Sequence, residues 1–210
     1  MTTITAITLE VSDVEAAKSF YDKAFGIADR LRFVSSDAPT NGFRGVVVSL
    51  VVAEPAVVDS LFDPAVAAGA TVVKPAKKSF WGYGGVLVAP DGTIWKIASS
   101  SKKDTGAPLR VIDDIVVLIG ADDVAVTKGF YVAQGLTVAK SFGRKYVEFD
   151  GGAGAVKLAL YGRKAAAKDA GVPAEGSGSH RLVINGDTVD FVDPNGIVWA
   201  GAKDRSHIAS

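Results

Sequence analysis

The sequence predicts an α+β protein made of two tandem βαβββ modules. Three observations carry this: apolar and polar residues alternate over several short runs, 23 glycines among 210 residues punctuate those runs, and the chain repeats itself. Residues 13–21 read DVEAAKSFY and residues 123–131 read DVAVTKGFY; near the end of each half, APDGTIW (89–95) is answered by DPNGIVW (193–199). Two motifs in the same order at nearly the same spacing define modules at 1–100 and 110–201. A polar linker at 99–109, within SSSKKDTGAP and the residue after it, joins them.

The first module opens with a strand. Thr5, Ile7, Leu9 and Val11 lie on one face and Ile4, Ala6, Thr8 and Glu10 on the other. A helix follows, with Ser12 and Glu15 at capping-box spacing, an apolar stripe of Val14, Ala17, Phe20, Tyr21 and Ala24, and Gly26 in place to end it. Strands are expected at 31–34 and 43–53, a helix at 56–68 ended by Gly69, and strands at 84–88 and 93–98 joined by the turn Pro90-Asp91-Gly92. The second module reads as a strand at 111–119, a helix at 123–134 ended by Gly135, strands at 137–142, 145–149 and 155–161, and a short helix at 163–170. Strands at 180–184, 188–192 and 197–201 complete it, with Asn185-Gly186 as a hairpin turn. By helical spacing and strand alternation, Phe20, Tyr21, Phe130, Tyr131, Trp95 and Trp199 belong to the core.

Composition removes several functions. Basic and acidic residues balance at 23 each, and no basic run exceeds a pair, so nucleic acid is not an expected partner. No apolar run approaches the roughly 20 residues of a membrane span, and the N-terminus lacks a basic signal region. The chain is therefore expected to be cytoplasmic, with no membrane partner. It has no cysteine, which excludes disulfides, thiolate metal sites and thiol nucleophiles, and His180 and His207 are its only imidazoles. GGAGAVK (151–157) lacks the spacing of a phosphate-binding loop, and neither G-x-S-x-G nor H-E-x-x-H occurs. No cofactor is expected.

The tandem modules, the Phe-Tyr pair on each first helix, the Pro-Asp/Asn-Gly-x-Ile/Val-Trp signature and the stretch SFWGYGGVLVAPDGTIWKI (79–97) resemble the vicinal oxygen chelate superfamily. Its members include glyoxalase I, bleomycin-resistance proteins, fosfomycin-resistance enzymes and extradiol dioxygenases. The resemblance implies curved mixed β-sheets around a shared cavity with helices outside. In enzymatic members it also implies a divalent metal held by His or Gln on the first strand and Glu on the last strand of each module. Matching the motifs puts Ala6, Lys96 and Ala200 at three of those positions, and Val116 at the fourth, or Asp114 if GADD (120–123) holds a bulge. At best one ligand survives, so the usual metal site is expected to be absent and no residue is assigned as catalytic.

What remains is a sheet-lined space with aromatic and polar side chains. The candidate ligand contacts are Thr8, Glu10, Trp81, Tyr83, Lys96, Asp114, Tyr146 and His180. Trp81 and Tyr83 either stack on a planar ligand or cap the open end of the sheet. Lys96 pairs with Glu10, pairs with an anionic ligand, or reaches water along its stem, and Arg144 and Lys145 form a basic rim. Three functions follow: a metal-free binding protein for a small aromatic or amphipathic molecule; a lyase or dioxygenase-type enzyme using a shifted or absent metal; or a structural module. A monomer or a homodimer satisfies each.

Overall fold

The computed structural model describes residues 2–105, 110–152 and 156–201; His207, part of the linker and the centre of the GGAGAVK turn lie outside the described residues. The first half supplies β1 (Ile4–Val11), α1 (Val14–Phe25), β2 (Leu31–Ser35), β3 (Thr40–Gly42), β4 (Val46–Val51), α2 (Pro55–Ala67), β5 (Thr71–Ser79), β6 (Gly82–Val88) and β7 (Ile94–Ser99). The second supplies β8 (Asp114–Ala121), α3 (Val124–Ala133), β9 (Val138–Phe142), β10 (Tyr146–Phe149), β11 (Lys157–Gly162) and α4 (Arg163–Ala170). It ends with β12 (Gly176–Gly178), β13 (Leu182–Gly186), β14 (Phe191–Val192) and β15 (Val198–Gly201).

Each half contributes to both large sheets. One sheet has eight strands in the order β5-β6-β7-β4-β8-β11-β10-β9, and its centre is the antiparallel pairing of β4 with β8, from Val46 opposite Ile119 to Val51 opposite Asp114. Strands β4 and β7, like β8 and β11, run parallel, so each half of this sheet is a βαβββ unit closed by a helical crossover. The other sheet has five strands in the order β14-β15-β13-β1-β2, and β3 pairs with β12 in a small third sheet.

Local chemistry explains the helices. Asp13 caps α1, its carboxylate accepting the Ala16 N–H at 2.9 Å, and Asp123 does the same for α3 at Ala125 and Val126. The expected Ser12–Glu15 capping box is thereby corrected: the residue between them carries the cap. Gly26 ends α1 in the left-handed conformation at φ 67°, its N–H bonded to the Tyr21 and Asp22 carbonyls. The Asn185-Gly186 hairpin is also corrected, because both residues lie inside β13, where Asn185 stands between Ala6 on β1 and Ala200 on β15. Strands β3, β5 and β12 add to the expected set.

One continuous core takes one face of both large sheets and the inner stripes of α1, α2 and α3. It encloses the same hydrogen-bonded triad twice. The Tyr21 hydroxyl donates to Asp91 Oδ2 at 2.8 Å and accepts from Trp95 Nε1 at 3.1 Å. The Tyr131 hydroxyl donates to Asp193 Oδ2 at 2.8 Å and accepts from Trp199 Nε1 at 3.2 Å. Both tyrosines and both tryptophans are fully buried. Burial, reinforced by the neighbouring aspartate, pushes both phenols well above their ordinary range, so they stay neutral donors.

Replacing Tyr21 or Tyr131 by Phe removes one donor from the aspartate and leaves the buried indole N–H without its acceptor. Each change is expected to cost about 1–3 kcal/mol, read as a lower midpoint in urea unfolding with an unchanged slope.

Candidate functional site

On the opposite face of the eight-stranded sheet, Val47, Val86, Leu118 and Ala159 form a second apolar cluster. Helix α4 lies on it through Ala166, Ala167 and Ala170, each almost completely buried. Three alanines on one side of an eight-residue helix allow its backbone to approach the sheet closely. Both ends are tied down by side chains from other elements or by its own first residue. The Arg163 guanidinium donates to the Phe43 and Ala174 carbonyls at 2.7 and 3.1 Å, and Lys74 Nζ donates to the last-turn carbonyls of Lys168 and Asp169 at 2.9 and 2.6 Å.

Beside α4 the same face turns polar. Lys96 on β7, Ser49 on β4, Val116 on β8 and Lys157 on β11 stand in one cross-strand row. Lys96 Nζ lies 2.6 Å from Asp169 Oδ2 at the end of α4, and Lys157 Nζ lies 2.8 Å from Asp114 Oδ2. Lys96 therefore pairs with Asp169 rather than Glu10, whose carboxylate accepts from the Ser179 hydroxyl. All four side chains are about one-third exposed, so each pair is partly screened and adds at most about 1 kcal/mol. On β10 the Tyr146 hydroxyl donates to Glu148 at 3.3 Å. Burial, with Glu148 beside it, pushes its phenol up to about 12.

The other expected contacts lie elsewhere. Thr8 is buried in the five-stranded sheet and donates to Asn185 Oδ1 at 2.7 Å. Trp81 is 83% exposed at the β5–β6 turn, edge-on to an equally exposed Phe80, while Tyr83 bonds Asp59 on α2. His180 is a clasp between the halves: Nδ1 faces the Arg44 carbonyl at 2.5 Å and Nε2 the Asn195 carbonyl at 3.0 Å. The structure thus brings together Lys96, Asp114 and Tyr146 on one sheet face, and separates them from Thr8, Glu10, Trp81, Tyr83 and His180. Ser49, Lys157 and Asp169 were missed; a single hydroxyl inside the apolar run VVVSLV was the available signal for Ser49.

The four positions implied as metal ligands form two separate pairs. Ala6 and Ala200 flank Asn185 in the five-stranded sheet, and Lys96 and Val116 flank Ser49 in the eight-stranded one. These residues do not fit a divalent ion. Ala6, Ala200 and Val116 carry no donor, Lys96 brings an ammonium, and the Asp114 carboxylate is held by Lys157. No group of three His, Asp or Glu side chains among the described residues is arranged to hold a metal.

Two measurements check this geometry. Ala167→Leu overfills the contact between α4 and the sheet and is expected to cost about 1–3 kcal/mol, read by chemical denaturation. Tyr146 is neutral when folded, so its contribution is complete below its unfolded pKa of roughly 10 and is lost as pH rises toward its folded value of about 12. In an ultraviolet titration, Tyr146→Phe should remove a phenolate step near pH 12.

No protein-family model matches the sequence, and no curated protein matches it. Solved structures do match. Glyoxalase I from Zea mays is 14% identical, with 96% of this chain aligned to 92% of that one at a TM-score of 0.60. A point mutant of the same maize enzyme, also 14% identical, aligns 95% of this chain to 94% of its own at a TM-score of 0.61. A Bacillus subtilis protein provisionally described as a dioxygenase is 13% identical over 94% of this chain and 83% of its own, at 0.59. None of the described helices is long and apolar enough to cross a membrane. Curved mixed sheets, the larger built from two βαβββ units, matched over nearly the whole chain to glyoxalase I, give this protein the fold of the vicinal oxygen chelate superfamily.

Proposed function

We propose that the chain is a metal-independent binding protein of the glyoxalase/bleomycin-resistance type. It takes a small aromatic or amphipathic molecule on the α4 face of the eight-stranded sheet. The observation that carries this reading is the half-open row Lys96–Ser49–Val116–Lys157 beside α4, which includes two of the four positions that the family resemblance implies as ligands, Lys96 and Val116. Lys96 and Lys157 offer charge to a polar end, and the apolar residues under α4 offer a surface for the rest of the molecule.

Binding requires α4 to yield. The helix has only eight residues, no side-chain cap at its start and alanines for anchors, too short to persist without the sheet beneath it. The reading carries with it a cytoplasmic location, modules at 1–100 and 110–201, and a monomer or homodimer. A second reading, a self-filled module that serves interaction rather than ligand capture, is favoured by α4 itself, which covers the apolar half of the face.

Native mass spectrometry of the purified chain should reveal a bound small molecule, or a thermal-shift panel of aromatic acids and amphiphiles should find one. In its presence, amide exchange across 163–170 should speed up. Binding with unchanged exchange there, or binding unaffected by Lys96→Met, would remove the α4 face as the site. Titration with Zn²⁺, Ni²⁺ or Mn²⁺ should give no stoichiometric heat.

A further inference from the structure

A small cavity of about 20 Å³ lies between the two halves, away from α4, lined by Arg44, His180 and Arg181 together with Gly92, Thr93 and Leu182 and three further residues. None of its lining residues is acidic. Arg44 comes from the segment before β4, and His180 and Arg181 from the segment before β13. The volume accepts one water-sized body, which is also the size of a small monovalent ion.

The two guanidiniums are poorly compensated. Arg44 Nη2 donates to the Asp91 carbonyl at 2.8 Å, and Arg181 Nη1 donates to the Ser36 carbonyl. Neither is in an ion pair with a carboxylate among the described residues. Burial lowers the Arg44 pKa, the Asp91 charge offsets part of that, and the Arg181 charge lowers it further, so the two cations sense each other. Arg181 Nε is buried with no acceptor among the described residues. Buried guanidinium donors are rarely left unsatisfied, because the desolvation cost is not recovered.

The backbone adds a third observation. Arg181 is the only described non-glycine residue with positive φ, at 55°. A long side chain there costs energy that the surroundings must offset, and such strain gathers where geometry serves a ligand. The strain is held by three contacts: the Arg181 N–H donates to Ser179 Oγ, its carbonyl accepts from the Glu10 N–H, and Nη1 reaches Ser36. Together they keep the side chain at the cavity.

The geometry points to a small-anion site between Arg44 and Arg181, taking chloride or the carboxylate end of a small organic acid. Both are monoanions that present one acceptor atom, the chloride itself or a carboxylate oxygen, to the unsatisfied Nε and the two positive charges, and both are smaller than an oxyanion such as phosphate. By bridging the segment before β4 to the segment before β13, the anion fastens the two halves beside the His180 clasp. This inference does not depend on the α4-face reading, and its test uses no ligand of that face.

The full chain would be titrated with sodium chloride, and separately with sodium formate, at constant ionic strength made up with sodium methanesulfonate, whose tetrahedral head, like that of phosphate, is too large for the cavity. The melting temperature should rise and saturate with one or both anions, and Arg181→Gln should weaken the apparent affinity at least tenfold. Saturation with chloride alone identifies the free ion as occupant, and saturation with formate identifies the carboxylate. A flat response to both, or an equal response in Arg181→Gln, overturns the site. Should Arg181→Gln fail to fold, crystals of the unaltered protein soaked in bromide decide the matter. An anomalous peak within hydrogen-bond reach of Arg181 Nε supports the site, and water density alone rejects it.

Discussion

An eight-stranded sheet with aliphatic side chains on both faces has to be covered twice. In β4, Val46, Val48 and Leu50 face one way and Val47 the other; β8 alternates Ile115, Val117 and Ile119 with Leu118. Each square ångström of such surface left in water costs roughly 25 cal/mol, so neither face can stay open across its width. Helices α1–α3 and the five-stranded sheet cover one side, and α4 covers the apolar half of the other. What is left for chemistry is the polar margin, where Lys96, Ser49, Asp114 and Lys157 meet water.

The repeated triads show what the internal repeat preserves. Aligning APDGTIW with DPNGIVW sets Asp91 against Asn195 and Ala89 against Asp193, so the two aspartates are not equivalent by position. Each nevertheless bonds the tyrosine of the helix that opens its own half, while the tryptophan donates to the same hydroxyl. A buried phenol and a buried indole both require partners, and a carboxylate on either side of the proline can reach them. The constraint acts on the side-chain atoms, and the backbone position is free to shift from one side of the proline to the other.

Local chemistry was readable from residues, and long-range pairing was not. Asp13 sits where a capping signal was expected, and α4 was located at 163–170 with its observed bounds. Strand β5 escaped notice because Pro75, Lys77 and Lys78 break its alternation, which is how an edge strand resists pairing with other chains. Alternation placed Trp95 and Trp199 in the core, since the opposite face carried Lys96 and Ala200. Nothing in a period-2 pattern says that β1 pairs with β13 from the far end of the chain, or that α4 lies on the face away from α1–α3. The polar row followed only in part: Lys96 and Asp114 were candidates, but their partners Asp169 and Lys157 depend on that placement.

The division of the four implied ligand positions between two sheets sharpens what their substitution means. A metal site can tolerate one poor ligand when the others converge at about 2.0–2.2 Å. Here convergence itself is missing: Ala6 and Ala200 meet across Asn185, whose amide oxygen is occupied by Thr8, and Lys96 and Val116 meet across Ser49. Placing a glutamate at Lys96 would add one donor on one sheet and release Asp169 from its ion pair, loosening the end of α4 without supplying a second donor at Val116. In the eight-stranded sheet two lysine–carboxylate pairs and a covering helix stand where converging donors would have to be. Each part of that arrangement supports the next: the alanines let α4 approach, and Asp169 at its end meets the partly exposed Lys96 only when α4 is in place.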